Sequence, residues 1–323
     1  MGSLDFLIVG AGLAGLAAAR DLADHGATVR VLDKGRVPGG RAATRRIEGQ
    51  PVDHGAQFCT SRSDRMQTLL STHEALGKAR VWSHGFPTWS EGAVVPRTDG
   101  HPRWCYPEGM RTLAGLIAEG LDVRCQSRAV VVSKEDKTWM VTTEDGTVHR
   151  APRLILNMPT TQLVALAGRT MKPEAVLLIA SVRMEPAWAL FGPVREDFGD
   201  GWPAIECTDD PCLAWVARDH TKRGPGAFPM AVVHARGDWS AEHLEDPEDQ
   251  VRTALETAAR RLGVHFLPGA MLHRWRYSKP GPPLDEPYLR CMENDIATIG
   301  DWCTGGRVEG ALQSGWALAA SWT

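Results

Sequence analysis

Residues 10–15, which read Gly-Ala-Gly-Leu-Ala-Gly, have the types and the spacing that bind the pyrophosphate of a dinucleotide. Gly10 allows a tight turn, Gly12 lets a pyrophosphate approach the backbone, and Gly15 lets a helix pack closely on a strand. The free N–H groups and the positive dipole end of that helix attract phosphate. Asp33, farther along the chain, can accept a hydrogen bond from a ribose hydroxyl. These residue types predict a dinucleotide site.

The elements around these residues occur in the order that such a site needs. The apolar run Leu4–Val9 predicts a strand buried on both faces of a parallel sheet. The alanine- and leucine-rich segment Leu16–Ala23 predicts a helix, and Thr28–Leu32 predicts a second strand that ends at Asp33. A glycine motif alone also fits a chance turn, but this order favours a Rossmann-like domain.

Two further segments could contact a nucleotide. Gly39-Gly40-Arg41 can direct backbone N–H groups and a guanidinium at anionic oxygen, and the alternative is a solvated basic loop. The small-residue turn Val52–Phe58 would let a flat ring approach the backbone.

Composition excludes several classes of protein. The net charge of -3 gives no basic surface for nucleic acid. Seven cysteines without a C-x-x-C pattern disfavour a disulfide framework, and eleven histidines without an H-x-x-x-H pattern disfavour a metal site. No run of eighteen apolar residues predicts a membrane span, and no signal peptide precedes the first strand. We therefore expect a cytoplasmic protein.

The predicted fold class is α/β, with two discontinuous domains. The nucleotide domain is predicted to comprise residues 1–75, 106–170 and 285–323. The second domain, residues 76–105 and 171–284, is predicted to be α+β, with a mostly antiparallel sheet crossed by the amphipathic helix Pro247–Leu262.

Four blocks of the chain together resemble one group of proteins. They are residues 10–15 with Asp33, Pro38–Arg41, Asp53–Phe58, and Gly300-Asp301-Trp302 with Gly305–Ala311. The chain resembles the superfamily of FAD-binding amine oxidases, desaturases and protoporphyrinogen oxidases. Within it the chain is most similar to the bacterial renalase-like flavoproteins, and this resemblance covers essentially the whole sequence.

The resemblance implies noncovalent FAD and assigns a role to each block. It places the pyrophosphate on the glycine loop, the adenosine ribose at Asp33, the adenine end at the backbone of Val130, and the isoalloxazine ring along Gly55–Phe58. The positive end of the last helix would face the N1–O2 side of the flavin. The implied cofactor-binding residues are Gly10, Ala11, Gly12, Ala14, Gly15, Asp33, Lys34, Gly40, Arg41, Gly55, Ala56, Gln57, Phe58, Val130, Gly300, Asp301, Val308, Glu309, Gly310 and Ala311.

The implied catalytic or substrate-contacting residues are His234, Phe58, Arg218, Asp219 and Trp302. His234 lies on a predicted strand, where it fits a core residue as well as a functional one. Arg218-Asp219 stands where bacterial renalases commonly have Arg-Asn, and Phe58-Cys59 where they commonly have Tyr-Phe. Both departures change a polar contact near the expected substrate.

By resemblance, the chain is an oxidase that passes hydride from a 2- or 6-dihydro isomer of NAD(P)H to flavin N5 and then to dioxygen, giving NAD(P)+ and hydrogen peroxide. The expected partners are a dihydronicotinamide-like small molecule and dioxygen. No nucleic acid or membrane is expected as a partner, and the resemblance leaves the oligomeric state unassigned. An amine oxidase, a desaturase and a non-catalytic flavin-binding protein remain alternatives. Only three tyrosines are present, and none lies in residues 300–310, which disfavours the aromatic pair common in amine oxidases.

Overall fold

The structure of the chain is a computed structural model that describes residues 3–199, 201–291 and 295–323. Buried apolar runs alternate with helices along most of these residues. Residue contacts divide the chain into two compact units. Unit 1 consists of Met1–Ala42, Leu113–Met184 and Lys279–Thr323, and unit 2 of Ala43–Thr112 and Glu185–Ser278.

The strands, numbered in chain order, are β1 (Phe6–Val9), β2 (Val29–Leu32), β3 (Thr44–Ile47), β4 (Gln50–Asp53), β5 (Arg80–Ser83), β6 (Thr88–Ser90), β7 (Ala93–Val95), β8 (Arg103–Cys105), β9 (Asp122–Arg124), β10 (Ala129–Glu135), β11 (Thr138–Thr143), β12 (Val148–Ala151), β13 (Arg153–Leu156), β14 (Met184–Pro193), β15 (Ala204–Cys207), β16 (Leu213–Arg218), β17 (Met230–Ala235), β18 (Met271–Pro280), β19 (Leu289–Arg290) and β20 (Ile296–Thr298).

The α-helices are α1 (Leu13–Asp24), α2 (Asp64–Ala75), α3 (Arg111–Ala118), α4 (Thr160–Ala167), α5 (Pro173–Ser181), α6 (Gly237–Glu242), α7 (Glu248–Arg260) and α8 (Val308–Ala320). Short 3₁₀ helices span Gly168–Thr170, Asp219–Lys222 and Asp301–Cys303.

Unit 1 is built on a six-stranded sheet in the order β19-β20-β13-β1-β2-β9. The strands from β20 to β9 are parallel, and β19 runs antiparallel to β20. All four residues of β1 are buried, as expected for a central strand covered on both faces. A separate antiparallel sheet, β10-β11-β12, completes the unit. This arrangement confirms the predicted Rossmann-like part of the fold.

Unit 2 is built on a seven-stranded sheet in the order β18-β14-β17-β16-β15-β6-β7. Neighbouring strands from β14 to β15 are antiparallel, whereas β6 is parallel to β15. Alternate residues enter different apolar clusters: Trp188 and Val233 join the cluster that includes helix α7, and Ala189 and Val232 join the other. This period of two is what a sheet with two covered faces requires. The predicted α+β class with a mostly antiparallel sheet is confirmed.

The compact units do not follow the predicted domain ranges everywhere. Residues 43–75 and 106–112 group with unit 2, and residues 171–184 and 279–284 group with unit 1. The β3–β4 hairpin joins unit 2 because Asp53, at its end, bonds to buried cations from residues 222 and 223. The division into a cofactor domain and a substrate domain stays a prediction.

Within the described ranges, no helix has both the length and the apolar character needed to cross a membrane.

Candidate functional site

The glycine loop of unit 1 leaves little room for a side chain at its three glycine positions. Gly10 has φ of +108°, and a Cβ there would lie 1.9 Å from the carbonyl oxygen of Asn157. A Cβ on Gly15 would lie 2.1 Å from the Gly10 oxygen, and one on Gly12 would lie 3.0 Å from Asn157 Nδ2. Asn157, which follows β13, also donates from Nδ2 to the Gly10 oxygen at 3.0 Å. The loop is therefore held in a shape that only glycine tolerates.

Asp33 helps to hold this loop. Its Oδ2 accepts from the backbone N–H of Ala11 at 2.6 Å, and its Oδ1 accepts from the N–H of Gly35 at 2.6 Å. Each carboxylate oxygen has a further lone pair, so a ribose hydroxyl could still donate to it. The next residue, Lys34, donates to Gln162 Oε1 at 3.0 Å, and partial burial followed by the charge of Arg128 lowers its pKa.

The second glycine segment runs beside the first. The N–H of Gly39 donates to the Ala11 oxygen at 2.8 Å, and Gly12 and Gly39 form a parallel bridge. Gly40 has φ of +55°, and a Cβ on it would lie 3.4 Å from the Cα of Gly12. The two segments therefore approach each other where glycine leaves the backbone uncovered.

Arg41 and Asp301, two of the predicted cofactor residues, are brought together by this arrangement. Arg41 donates from one nitrogen to Asp301 Oδ2 at 2.9 Å and from the other to Oδ1 at 2.6 Å. The main-chain oxygen of Asp301 accepts from the N–H groups of Thr304, Gly305 and Gly306. This turn leads to α8, which begins at Val308 and has buried Glu309 and Gly310 in its first turn, followed by Ala311.

Trp302 was predicted to contact the substrate, and the structure places it in the interior of unit 1. Its side chain is fully buried in the apolar core of unit 1, and a Cβ on nearby Gly300 would lie 2.6 Å from its Nε1. The side chain therefore packs in the core of unit 1, and its contact with a substrate stays a prediction.

Val130 lies at an irregularity of β10. The register with β11 pairs Ala129 with Thr143 and Val131 with Thr142, so Val130 has no residue opposite to it. Its side chain is 45% exposed. A bulge of this kind frees backbone groups from the sheet ladder, which suits the predicted backbone contact with adenine.

Unit 2 carries a cluster of aromatic and histidine rings around the turn that follows β4. The His54 ring stacks on Phe191 and Trp275, with centroids 4.8 and 5.5 Å away, and meets the edge of His273 at 5.1 Å. The His54 carbonyl oxygen accepts from Trp275 Nε1 at 3.0 Å and from His234 Nε2 at 3.3 Å. Because a carbonyl only accepts, Nε2 is the protonated nitrogen of His234.

Burial keeps these histidines neutral. Burial, followed by the charges of His273 and Arg45, lowers the pKa of His54 from 6.5 to about 3. Burial also lowers the pKa of His234 to about 4, although its bond to the His54 carbonyl opposes the change. Both rings are therefore uncharged at neutral pH.

Asp219 and Arg218 do not pair with each other. Arg218 binds both carboxylate oxygens of Asp197, with one contact at 2.8 Å, and donates to the Trp202 oxygen at 3.1 Å. Asp219 is fully buried and binds Lys222 at 2.9 Å and Arg223 at 2.6 Å. Both oxygens of Asp219 therefore bind buried cations, and its contact with a substrate stays a prediction.

Asp219 belongs to a buried cluster of four charged side chains, which are those of Asp53, Asp219, Lys222 and Arg223. Arg223 donates to Asp53 Oδ2 at 2.9 Å, and Thr44 donates to Asp53 Oδ1 at 2.7 Å. Burial alone would raise the pKa of Asp53, but the charges of Arg223 and Lys222 outweigh it and lower that pKa. Two anions and two cations make the cluster neutral.

Phe58 belongs to a second aromatic group in unit 2. Its ring lies 5.1 Å from Phe86 and 5.8 Å from Trp215, and the Arg103 guanidinium lies 5.8 Å from its centroid. The Gly55-Ala56-Gln57 segment that precedes it forms no strand or helix.

Sequence reasoning missed several residues of these sites, among them Asn157, His54 and Lys222. Asn157 could have been found, because it follows a buried strand at the carboxyl edge of a parallel sheet, where ligands of such folds bind. The spacing from Asp219 to Lys222 and Arg223 gave a local signal for ion pairs, but Asp53 lies far away in the chain. Across the part of the chain that the structure describes, no group of three or more His, Cys, Asp or Glu side chains could hold a metal ion.

Comparison with known proteins found a family model for the first part of the chain and relatives that are similar to it. Residues 8–72 match the family model of an NAD(P)-binding Rossmann-like domain. Over 69 residues, 21% of this chain, it is 42% identical to “Putative flavin-containing monoamine oxidase AofH” of Mycobacterium tuberculosis, and the match spans only 15% of the length of that relative.

Two solved structures resemble the whole chain. A redesigned putrescine oxidase is 14% identical, with a TM-score of 0.74 and 99% of each chain covered. The cyclohexylamine oxidase of Brevibacterium oxydans is 14% identical, with a TM-score of 0.73, and the match covers 99% of this chain and 98% of that one. At this identity the likeness defines the fold, which is the fold of these amine oxidases.

Proposed function

We propose that the chain is an FAD-dependent oxidoreductase. The observation that carries the proposal is the close approach of two glycine segments, in which Gly12 and Gly39 form a parallel bridge, with Asp33 and Arg41 beside them. A dinucleotide fits them, because a pyrophosphate must approach backbone N–H groups closely and a ribose needs an acceptor. The flavin-containing relative from M. tuberculosis makes FAD the better choice than NAD(P).

The residues of unit 1 would hold the cofactor by distinct contacts. The glycine loop and the start of α1 bind the pyrophosphate, and Asp33 accepts from the adenosine ribose. Arg41 donates to phosphate or ribityl oxygens, Asp301 accepts from a ribityl hydroxyl, and α8 directs its positive N-terminus at the electron-rich side of the ring. Bound FAD would supply a hydride acceptor, with dioxygen as the oxidant that regenerates it and yields hydrogen peroxide.

The residues of unit 2 would orient the substrate. The partly exposed rings of Phe58 and Trp275 can pack against a flat ring and exclude water. His54 and His234 are neutral, so they can accept or donate hydrogen bonds without adding charge. A hydride donor of this kind needs positioning and a dry surface more than it needs a base.

The substrate we propose is a 2- or 6-dihydro isomer of NAD(P)H, as the resemblance to renalases implies. One observation favours it over an amine. The fully buried carboxylates of Asp53 and Asp219 are neutralised by Lys222 and Arg223, so neither can attract the ammonium group of an amine.

Oxidation of an amine is the second candidate function. The 42% identity to the M. tuberculosis relative, and the fold shared with putrescine and cyclohexylamine oxidases, support it as well as they support the first. The two candidates share FAD and dioxygen, and they differ in the substrate alone.

The cofactor is tested first. The purified protein should be yellow, and acid precipitation should release all of the colour into the supernatant as FAD. A colourless protein that gains no flavin on incubation would contradict the proposal, and colour kept in the pellet would contradict noncovalent binding.

The substrate is tested by anaerobic stopped-flow measurement of flavin bleaching. The panel comprises the 2- and 6-dihydro isomers, ordinary NADH and NADPH, and a set of amines. Rapid bleaching by the isomers alone supports the first candidate, and bleaching by amines alone supports the second. A flavin that no compound reduces would favour a non-catalytic flavin-binding protein.

A further inference from the structure

Lys222 makes a contact that charge balance does not require. Its side chain is fully buried in unit 2, and Nζ lies 2.9 Å from Asp219 Oδ1 and 3.3 Å from Asp53 Oδ2. Buried ions are tolerated when such partners neutralise them. The same ammonium also donates to Gln57 Oε1 at 3.0 Å, and Gln57 carries no charge. The role of this third contact must therefore be sought in Gln57.

Gln57 folds back on the turn that contains it. Its Nε2 donates to the main-chain oxygens of Asp53 and Gly55, the latter at 3.1 Å. An ammonium can only donate, so Lys222 fixes which end of the amide is oxygen and thereby aims Nε2 at the turn. A reversed amide would place its NH₂ group against the ammonium and lose both bonds to the backbone.

Side chains hold three consecutive carbonyl groups of the turn by hydrogen bonds. Gln57 holds the oxygens of Asp53 and Gly55, and Trp275 and His234 hold the oxygen of His54. By contrast, none of the backbone N–H groups of Gly55–Phe58 has an acceptor among residues 3–199, 201–291 and 295–323. The turn thus has fixed carbonyls and four N–H groups that remain available to a ligand.

We propose that Lys222 is a positioning residue that acts through Gln57 to hold the N–H groups of Gly55–Phe58 in place for an electron-rich ring. This inference rests on the proposed function and on the contact between Gly55–Phe58 and the isoalloxazine that the resemblance to renalases implies. Ordered N–H donors stabilise a ring more when it gains electrons. Loosening the turn therefore makes bound FAD harder to reduce.

The test is the redox equilibrium of bound FAD, which needs no substrate. Reference dyes fix a solution potential at which half of the wild-type flavin is reduced. In Lys222→Met and in Gln57→Met, the ratio of reduced to oxidised flavin at that potential should fall about tenfold, which is about 30 mV for a two-electron couple. In the double variant the ratio should fall no further, because the two residues act as one unit.

Arg223→Met is the matched control. It removes one cation from the same buried cluster, as Lys222→Met does, but Arg223 bonds to Asp53, Asp219 and the main-chain oxygens of Tyr106 and Pro107 and does not touch Gln57. Its flavin should keep the wild-type ratio. An equal fall in both lysine and arginine variants would show a general effect of lost charge and would overturn the proposal.

Gln57→Met keeps all four charges, so it tests the proposal even if Lys222→Met does not fold. A wild-type ratio in Gln57→Met overturns the proposal, and so do additive effects in the double variant. Failure of the proposed function has a different signature, because the wild-type protein would then bind no FAD at all.

Discussion

Arg41 and Asp301 stand 260 residues apart in the chain and form a two-point ion pair in unit 1. Removing the carboxylate in Asp301→Ala deletes one charge-assisted contact with the cofactor and releases the guanidinium that the carboxylate orients. We expect FAD affinity to fall by about 1.5–3 kcal/mol, as for other hydrogen bonds to charged groups. Titration of the apoprotein with FAD, followed by flavin fluorescence, measures this loss.

Asp24→Ala is a control for that experiment, because Asp24 pairs with Arg20 at 3.4 Å on the surface of the same unit. Such an exposed pair contributes little. If Asp301→Ala bound FAD as tightly as Asp24→Ala does, Asp301 would have no part in the cofactor site.

His54 gives a second expectation, which concerns acid stability. Its pKa is about 3 in the folded protein and 6.5 for an unperturbed histidine, so the unfolded chain binds the proton more readily. The free energy of unfolding therefore falls with falling pH. The stability contributed by neutral His54 is complete above pH 6.5 and is lost as the pH falls toward 3. The slope is at most about 1.4 kcal/mol per pH unit.

His54→Phe should remove that slope and keep the stacking on Phe191 and Trp275. The Nδ1 atom of His54 is buried without a partner in the described residues, so its loss breaks no hydrogen bond there. Urea unfolding at several pH values between about 6.5 and 4 should show a flatter dependence for the variant than for the wild type. Equal slopes for the two proteins would mean that His54 titrates normally.

At the scale of elements, helices α1 and α8 meet at Gly315. A Cβ there would lie 2.2 Å from the main-chain oxygen of Ala14 and 3.0 Å from Ala17 Cβ. Gly315→Ala should therefore push the helices apart and destabilise the protein by about 1–3 kcal/mol. Thermal and urea unfolding measure the loss.

Gly115→Ala is the matched comparison, because Gly115 also lies within a helix, α3, but a Cβ there meets nothing within 4 Å. It should stabilise the protein by about 0.4–1 kcal/mol, since alanine restricts the unfolded chain. Two alanine substitutions with effects of the same sign would contradict this account of the α1–α8 contact.

The elements that were predicted well from the sequence are those whose own residues form a recognisable pattern. The apolar run Leu4–Val9 contains β1 (Phe6–Val9), and the predicted helix Pro247–Leu262 contains α7 (Glu248–Arg260). Glycine spacing likewise predicted a loop that the structure shows to be sterically closed to other residues.

What sequence could not predict depends on distant partners. Asp219 reads as an isolated acid beside Arg218, and only the fold brings Asp53 to the same buried cluster, 166 residues away. Trp302 reads as a possible wall because it follows Asp301, yet its ring enters the core of unit 1. Neither outcome is encoded in neighbouring residues.

At the scale of the whole molecule, neither unit is continuous in sequence. The seven-stranded sheet of unit 2 takes β6 and β7 from residues 43–112 and its other strands from the later part of the chain. A fragment of residues 185–278 would expose the edge of β15 and leave Lys222 and Arg223 without Asp53. Loss of a buried partner costs about 3–5 kcal/mol, so we expect this fragment to be unfolded alone.

Co-expression with residues 43–112 should restore a folded complex, visible as one species by size-exclusion chromatography with β-sheet circular dichroism. The same partner carrying Asp53→Leu should fail to restore it. A fragment 185–278 that folds alone would show that β6, β7 and Asp53 are dispensable.

The contact between α1 and α8 also bears on synthesis by the ribosome. Helix α1 carries the glycine loop at its start, yet it packs on residues 308–320, and β1 lies between strands from residues 29–32 and 153–156. Residues of β1 and α1 therefore cannot complete their packing until the distant segments have been translated. Their apolar surface stays exposed until then. If the proposed FAD site is correct, we expect stable capture of FAD only after α8 has been translated.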